Sequence, residues 1–103
     1  MNVNEFGVSF LFSTGYAMNN FTTIAITFTK PDLTEFTVTN PDVTVPNTPI
    51  TTVDGTFPAN EYAKYVFKGG DVDQVGKWSA RVTYDDNTPL HLISDIGVFT
   101  INP

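Results

Sequence analysis

The chain has 103 residues, of which 41% are hydrophobic, 14% aromatic and 16% charged, so one core and one domain spanning residues 1–103 are expected. Nine Phe, four Tyr and one Trp supply apolar area that a disordered chain lacks, and a net charge of −6 argues against nucleic acid or an anionic membrane as partner. Without cysteine there are no disulfides, thiolate metal sites or thiol nucleophiles, and a single histidine, His91, leaves no zinc site built from several imidazoles.

Sixteen Thr, with many Val, Ile, Phe and Tyr, favour strands, and no window shows the apolar spacing of an amphipathic helix. Residues 8–12 form the first candidate strand, with Val8, Phe10 and Phe12 on one face and Leu11 on the other. Residues 15–20 read as a turn. Residues 22–29 then alternate cleanly, placing Ile24, Ile26 and Phe28 inward and Thr23, Thr27 and Thr29 outward. Lys30-Pro31-Asp32-Leu33-Thr34 is a turn, because Pro31 pre-sets one dihedral and Asp32 can bond its own backbone.

A strand over 35–39 follows, with Phe36 and Val38 inward. Pro41, Pro46 and Pro49 make residues 40–50 poor central-strand material, so short edge segments and a crossover are expected there. Residues 50–53 pair briefly before the Asp54-Gly55 turn. Residues 61–68 form a strand with Ala63, Tyr65 and Phe67 on one side and Tyr62, Lys64, Val66 and Lys68 on the other. In the strand over 77–84, Trp78, Ala80, Val82 and Tyr84 share a face. A polar loop over 85–89 leads to a final strand within 90–101, where Gly97 marks a bulge.

Seven or eight short strands with turn signals every 8 to 12 residues match an all-β, immunoglobulin-like antiparallel sandwich, with a small Greek-key barrel as the alternative. The sharpest fold signal is the stretch from Gly70 to Ala80. In immunoglobulin-type domains an acidic residue, a glycine and an aromatic precede or open the next-to-last strand, and Asp73, Gly76 and Trp78 take those places. The carboxylate is expected to tie down turn N–H groups, and the indole to plug the core at about 3–5 kcal/mol relative to Ala.

Candidate chemistry is sparse. There is no G-x-S-x-G elbow, His91 has no argued Ser or Asp partner, and it reads as a solvent-facing strand residue, so no enzyme is expected. Asp71 with Asp73, and Asp85 with Asp86, are the only calcium candidates, on loops expected near one end of the sandwich; no cofactor is called for. The sequon Asn20-Phe21-Thr22 reads as a chance match. Tyr16, Phe21, Phe57 and Tyr62 lie in or beside loops, where they either plug the open ends of the sandwich or form a partner interface. A carbohydrate-binding module is the alternative function, with Trp78, Tyr62, Tyr65 and Tyr84 as stacking rings for host-cell adhesion.

The stretches ITFTKPDLTEFTV, GTFPANEYAKYVFKGGDVDQVGKWSARVTY and SDIGVFTINP resemble small immunoglobulin-like sandwich modules encoded among the structural genes of tailed bacteriophages. The likeness covers most of the chain from about Thr22 and is carried by turn and core residues. Leu33 departs from it, standing where glycine is usual after Pro-Asp, which points to a different turn type. The resemblance implies a non-enzymatic structural or assembly protein of the virion: an adaptor, oligomerising or decoration domain of tail, baseplate, fibre or head surface. It implies other virion structural proteins as partners, or a homo-oligomer. No catalytic residues come with it. With the first basic residue at Lys30 and the apolar run 6–12 far short of a ~20-residue span, neither signal peptide nor membrane segment is expected, and synthesis in the host cytoplasm precedes incorporation. Docking is expected through an edge strand or the segment 6–12, within an amino-terminal strand and turn over 1–21.

Overall fold

The computed structural model describes residues 1–88 and 90–103. It is an all-β sandwich. Ten strands occur among the described residues: β1 (Ser9–Ser13), β2 (Phe21–Thr29), β3 (Glu35–Thr39), β4 (Val43–Thr44), β5 (Ile50–Thr52), β6 (Gly55–Phe57), β7 (Tyr62–Val66), β8 (Gly76–Asp86), β9 (His91–Ile93) and β10 (Gly97–Ile101). The smaller sheet has the order β1-β7-β4, the larger β10-β8-β2-β3 with β9 also on β8, and β5 with β6 forms a separate hairpin. Every ladder between strands is antiparallel.

Ten strands replace the expected seven or eight for local reasons. The proline-rich stretch yields the two-residue β4, and the Asp54-Gly55 turn closes a true hairpin. The final strand is split. Thr83 faces Ile93 and Ala80 faces Gly97, so two residues of β8 oppose three between β9 and β10, a bulge just before Gly97. Ser94 fills the gap: its N–H donates to the Val82 carbonyl (2.8 Å) and its Oγ accepts the Val82 N–H (2.8 Å). Asp85 and Asp86 belong to β8 and pair with Thr23 and Phe21, so the expected loop over 85–89 begins two residues late; its Pro89 lies outside the described residues.

The inward faces read from alternation meet between the sheets. Ile24, Ile26 and Phe28 of β2, Ala63 and Tyr65 of β7, and Trp78, Ala80, Val82 and Tyr84 of β8 are all buried. Aromatic rings dominate the centre. Phe28 stacks on Phe36 at 5.0 Å and meets Phe10 edge-on at 5.1 Å, while Phe10 also packs on Phe99 at 5.1 Å. Such pairs contribute about 0.5–1.5 kcal/mol each beyond their area. Tyr62 departs from the alternation: it points away from the core yet is buried, because Phe57 of the β5–β6 hairpin covers it edge-on at 5.7 Å. Its hydroxyl donates to the Thr48 carbonyl at 2.9 Å.

The two stretches that carry the fold signal interlock. The β2–β3 hairpin is a turn closed by Leu33 N–H on the Lys30 carbonyl (2.9 Å) and Lys30 N–H on the Thr34 carbonyl (2.8 Å). This is a three-residue loop whose last position is left-handed, and Leu33 adopts φ 71°, so the turn keeps the glycine-like conformation rather than changing type. Asp32 and Gln74 exchange two hydrogen bonds, at 2.8 and 3.3 Å. Gly76, at φ 131°, lets Pro31 approach so closely that a Cβ there meets the proline Cγ at 3.0 Å. Trp78 is fully buried, and its Nε1 donates to the Gln74 carbonyl at 3.0 Å.

The expected role of Asp73 falls elsewhere. Asp73 forms an ion pair with Lys30 (2.9 Å), whose ammonium lies over the rings of Phe36 (5.4 Å) and Trp78 (5.8 Å). Asp71 instead ties down the turn, accepting the Lys68 N–H at 2.8 Å and the Tyr65 hydroxyl at 2.5 Å. The amino-terminal segment is tied to the body of the sandwich. Asn2 forms a parallel bridge with Asn102, Phe67 exchanges backbone bonds with Gly7 and Val8, and Phe10 and Phe12 pack against the core.

Candidate docking edge

The two sheets leave a groove on one side of the sandwich, where β1 and β10 are the outermost strands. Phe10, Leu11, Phe12, Phe57, Val98 and Phe99 supply its apolar walls around a volume of about 340 Å³. Alternation places Phe10 and Phe12 inward from β1, while Leu11 on the other face reaches the groove beside Phe57. Phe12 closes the floor by lying against Gly97, where a Cβ falls 2.7 Å from its Cε2. The bulge glycine is therefore also a packing requirement.

The edges bordering this groove differ from those on the far side. Neither β1 nor β10 contains a charged residue or a proline. At the opposite edges, β3 begins with Glu35, and β4 is two residues long and follows Pro41 and Asp42. Charge, proline and short length are the usual means of blocking an open edge, so the far edges are guarded and the groove edges are not. On the β9–β10 side the apolar character extends outward, since Ile93, Ile96 and Val98 are 60%, 66% and 60% exposed.

The backbone of β10 is also open. Asn102 donates its N–H to the Met1 carbonyl (2.9 Å) and accepts the Val3 N–H (2.8 Å), which fixes its polar groups on the outer side. Backbone groups alternate along a strand, so Thr100 and Val98 direct theirs the same way, and β10 has no partner strand there among the described residues. Charge near the groove is sparse but unpaired. Lys64, opposite Leu11, and Lys77, opposite Thr100, make no ion pair among the described residues, whereas Lys30, Lys68 and Arg81 pair with Asp73, Asp42 and Glu35.

The residues singled out for chemistry lie elsewhere. Asp71 and Asp73 precede β8, while Asp85 and Asp86 end it; an eleven-residue strand separates them by roughly 30 Å, so they do not share an end of the sandwich. Each carboxylate already has a partner. Asp85 pairs with His91, which is exposed as expected. Asp86 accepts the Thr88 hydroxyl (2.6 Å), the Thr88 N–H (2.8 Å) and the Leu90 N–H (3.1 Å). Those bonds, the Thr88 hydroxyl first, hold its carboxyl at a pKa of about 2. Likewise Thr34 foremost, then Gln74, keeps Asp32 below the ordinary carboxylate range. Burial, reinforced by Asp71, pushes the Tyr65 phenol well above its usual pKa. Among the described residues no three His, Asp or Glu side chains gather to hold a metal ion.

Trp78, Tyr62, Tyr65 and Tyr84 are all buried, so none offers a face for stacking a sugar. Tyr16 and Phe21 are half-buried, Tyr16 against Tyr84 at 6.4 Å, and of the four loop aromatics only Phe57 lines the groove. The groove itself was legible only in part. Alternation and the apolar run 6–12 pointed to β1, but the exposed stripe of Ile93, Ile96 and Val98 became visible only once the bulge had set the register. Comparison with protein-family models, curated proteins and solved structures returned no match. What the geometry defines is an all-β sandwich in which β1 and β10, the outermost strands beside one groove, carry neither charge nor proline.

Proposed function

We propose that this chain is a non-enzymatic structural or assembly domain of a phage particle, an adaptor or oligomerising module of tail, baseplate or head surface. The observation that carries the reading is the contrast between edges: β1 and β10, free of charge and proline, flank an apolar groove, while β3 and β4 are guarded. An unguarded edge is a template for strand addition, in which main-chain hydrogen bonds recruit another chain to the sheet.

We read the sandwich as immunoglobulin-like. The orders β1-β7-β4 and β10-β8-β2-β3 parallel the B-E-D and G-F-C-C′ orders of such sandwiches, which supports it. The resemblance to phage modules supplies the setting, with other virion structural proteins as partners. The test is direct. Particles from a phage encoding this chain are banded on a density gradient, washed in high salt and analysed by quantitative mass spectrometry. The chain is expected in the band at a fixed ratio to the major structural proteins; its absence from washed particles, with the chain present in the lysate, overturns the reading.

A further inference from the structure

We infer that the end of the sandwich where β2 begins and β8 finishes is a binding site for one neutral sugar unit, a pyranose held by its hydroxyls and seated by its apolar face on Phe21. The pocket there shares no residue with the groove beside β1 and β10, and the site stands whether or not the chain belongs to a particle. Asn20, Phe21, Asp86, Asn87 and Thr88 line a volume of about 410 Å³, within the range of small-molecule sites. The connection from β1 to β2 delivers Asn20, and the turn after β8 delivers Asn87 and Thr88.

A bulge builds the floor. Ile24 faces Tyr84 and Thr23 faces Asp85, but Phe21 faces Asp86, so Thr22 is an extra residue in β2. The Thr22 hydroxyl donates to the Asp85 carbonyl at 3.1 Å. Strict alternation puts Phe21 on the outer face with Thr23; the extra residue turns it to the inner face, beside Asp86. There the ring packs against the core on one side and lines the pocket on the other.

The polar groups around that ring fit hydroxyls. Asp86 Oδ1 is taken up by the Thr88 hydroxyl, the Thr88 N–H and the Leu90 N–H, whereas Oδ2 accepts only the Tyr84 hydroxyl, at 3.1 Å. A carboxylate oxygen has two lone pairs, so Oδ2 keeps one place for a further donor. Asn20 and Asn87 are exposed, and neither carboxamide bonds to another described residue. Neighbouring hydroxyls of a pyranose donate to a carboxylate while accepting from amide N–H groups, and the C–H face of the ring packs on an aromatic one.

Other ligand classes fit less well. No lysine or arginine lines the pocket and the chain carries −6, so phosphates, carboxylates and acidic sugars are repelled. Calcium takes six to eight oxygens, but Asp85 faces the outer surface and pairs with His91, leaving Asp86 the only carboxylate in the lining. A wholly apolar ligand strips water from a charged Asp86 and gives nothing back.

Two-dimensional amide spectra of the full, isotope-labelled chain test this, titrated with glucose, galactose, mannose and N-acetylglucosamine. A ligand of about twelve non-hydrogen atoms is expected to bind with a Kd of roughly 1–10 mM, so each sugar is taken to about 100 mM. At least one of the four is expected to give saturable shifts of the Asn20 and Asn87 side-chain amides and the Thr88 amide, while glycerol gives none. Asn20→Ala and Asn87→Ala each weaken binding about three- to tenfold through the loss of a hydrogen bond. Both side chains are exposed and unbonded, so the variants fold, and Trp78 emission verifies it. Phe21→Leu keeps an apolar side chain against the core but removes the flat ring, and saturation is lost. Methyl glycosides of the binding sugar separate its sources: selection of one anomer marks the terminal unit of a glycan, and binding of the reducing sugar alone marks a free one. The inference is overturned by the absence of saturable shifts with all four sugars, by the same shifts with glycerol, or by an affinity unchanged in both asparagine variants. A response to calcium chloride but to none of the sugars overturns it as well.

Discussion

Leu33 is a position where replacing a large apolar residue with glycine stabilises the fold. It occupies the left-handed region at φ 71°, and its side chain is 80% exposed, so it gains little from burial. A non-glycine residue held there costs about 1–2 kcal/mol, through the approach of Cβ to the following carbonyl. Glycine removes that cost but adds about 0.5–1 kcal/mol of unfolded-chain entropy. The net expectation for Leu33→Gly is a gain of about 0.5–1 kcal/mol, or a rise in Tm of roughly 2–8 °C for a domain of this size. Leu33→Ala is the control, since it deletes the same side chain but keeps the Cβ and gains nothing. Urea denaturation followed by Trp78 emission measures all three proteins, because the indole is buried beside this turn. If Leu33→Ala and Leu33→Gly shift the midpoint equally, or Leu33→Gly lowers it, backbone strain is not what the position stores.

Three further outcomes follow from the packing. Gly97→Ala puts a Cβ 2.7 Å from Phe12 Cε2 and is expected to cost about 1–3 kcal/mol in chemical denaturation, with Phe12→Leu recovering part of the loss. Trp78 in the wild type is expected to emit at short wavelength and resist quenching by iodide, and Trp78→Ala to cost about 3–5 kcal/mol by circular dichroism melts. Asp86 has a folded pKa of about 2, below the unfolded carboxylate range, so its stabilisation is complete above about pH 4 and fades as pH falls through that window. Denaturation midpoints measured between pH 6 and pH 2 are expected to fall less steeply for Asp86→Asn than for the wild type.

How far the sequence carried depended on the range of the interaction. The strict alternation of β2 and β8 placed Ile24, Ile26, Phe28, Trp78, Val82 and Tyr84 correctly, because one buried face and one solvated face leave a period of two in the residues themselves. The turn at Lys30–Thr34 was legible from Pro31 and Asp32, although Leu33 keeps the left-handed conformation of a glycine instead of imposing the different turn type expected. What failed was non-local. Nothing in the alternation of β7 reveals that the β5–β6 hairpin folds over Tyr62, and nothing in the turn over 15–20 reveals that Met18 is a fully buried plug tied to the Asn60 carbonyl. The exchange of roles between Asp71 and Asp73 depended on where Lys30 arrived from another hairpin. The docking edge was half legible: the uncharged, proline-free strands could be read in advance, but not that they lie on the same side of the sandwich.

The parallel bridge between Asn2 and Asn102 has an engineering corollary. Since the two ends of the chain are adjacent, a few flexible residues suffice to fuse them, and new ends are best opened at Val53-Asp54, where Val53 is wholly exposed at the tip of the smallest hairpin. A circularly permuted protein built that way retains every strand of both layers. It also frees Met1 and Pro103 from their role as termini, so that cargo or labels can be attached on the hairpin side instead.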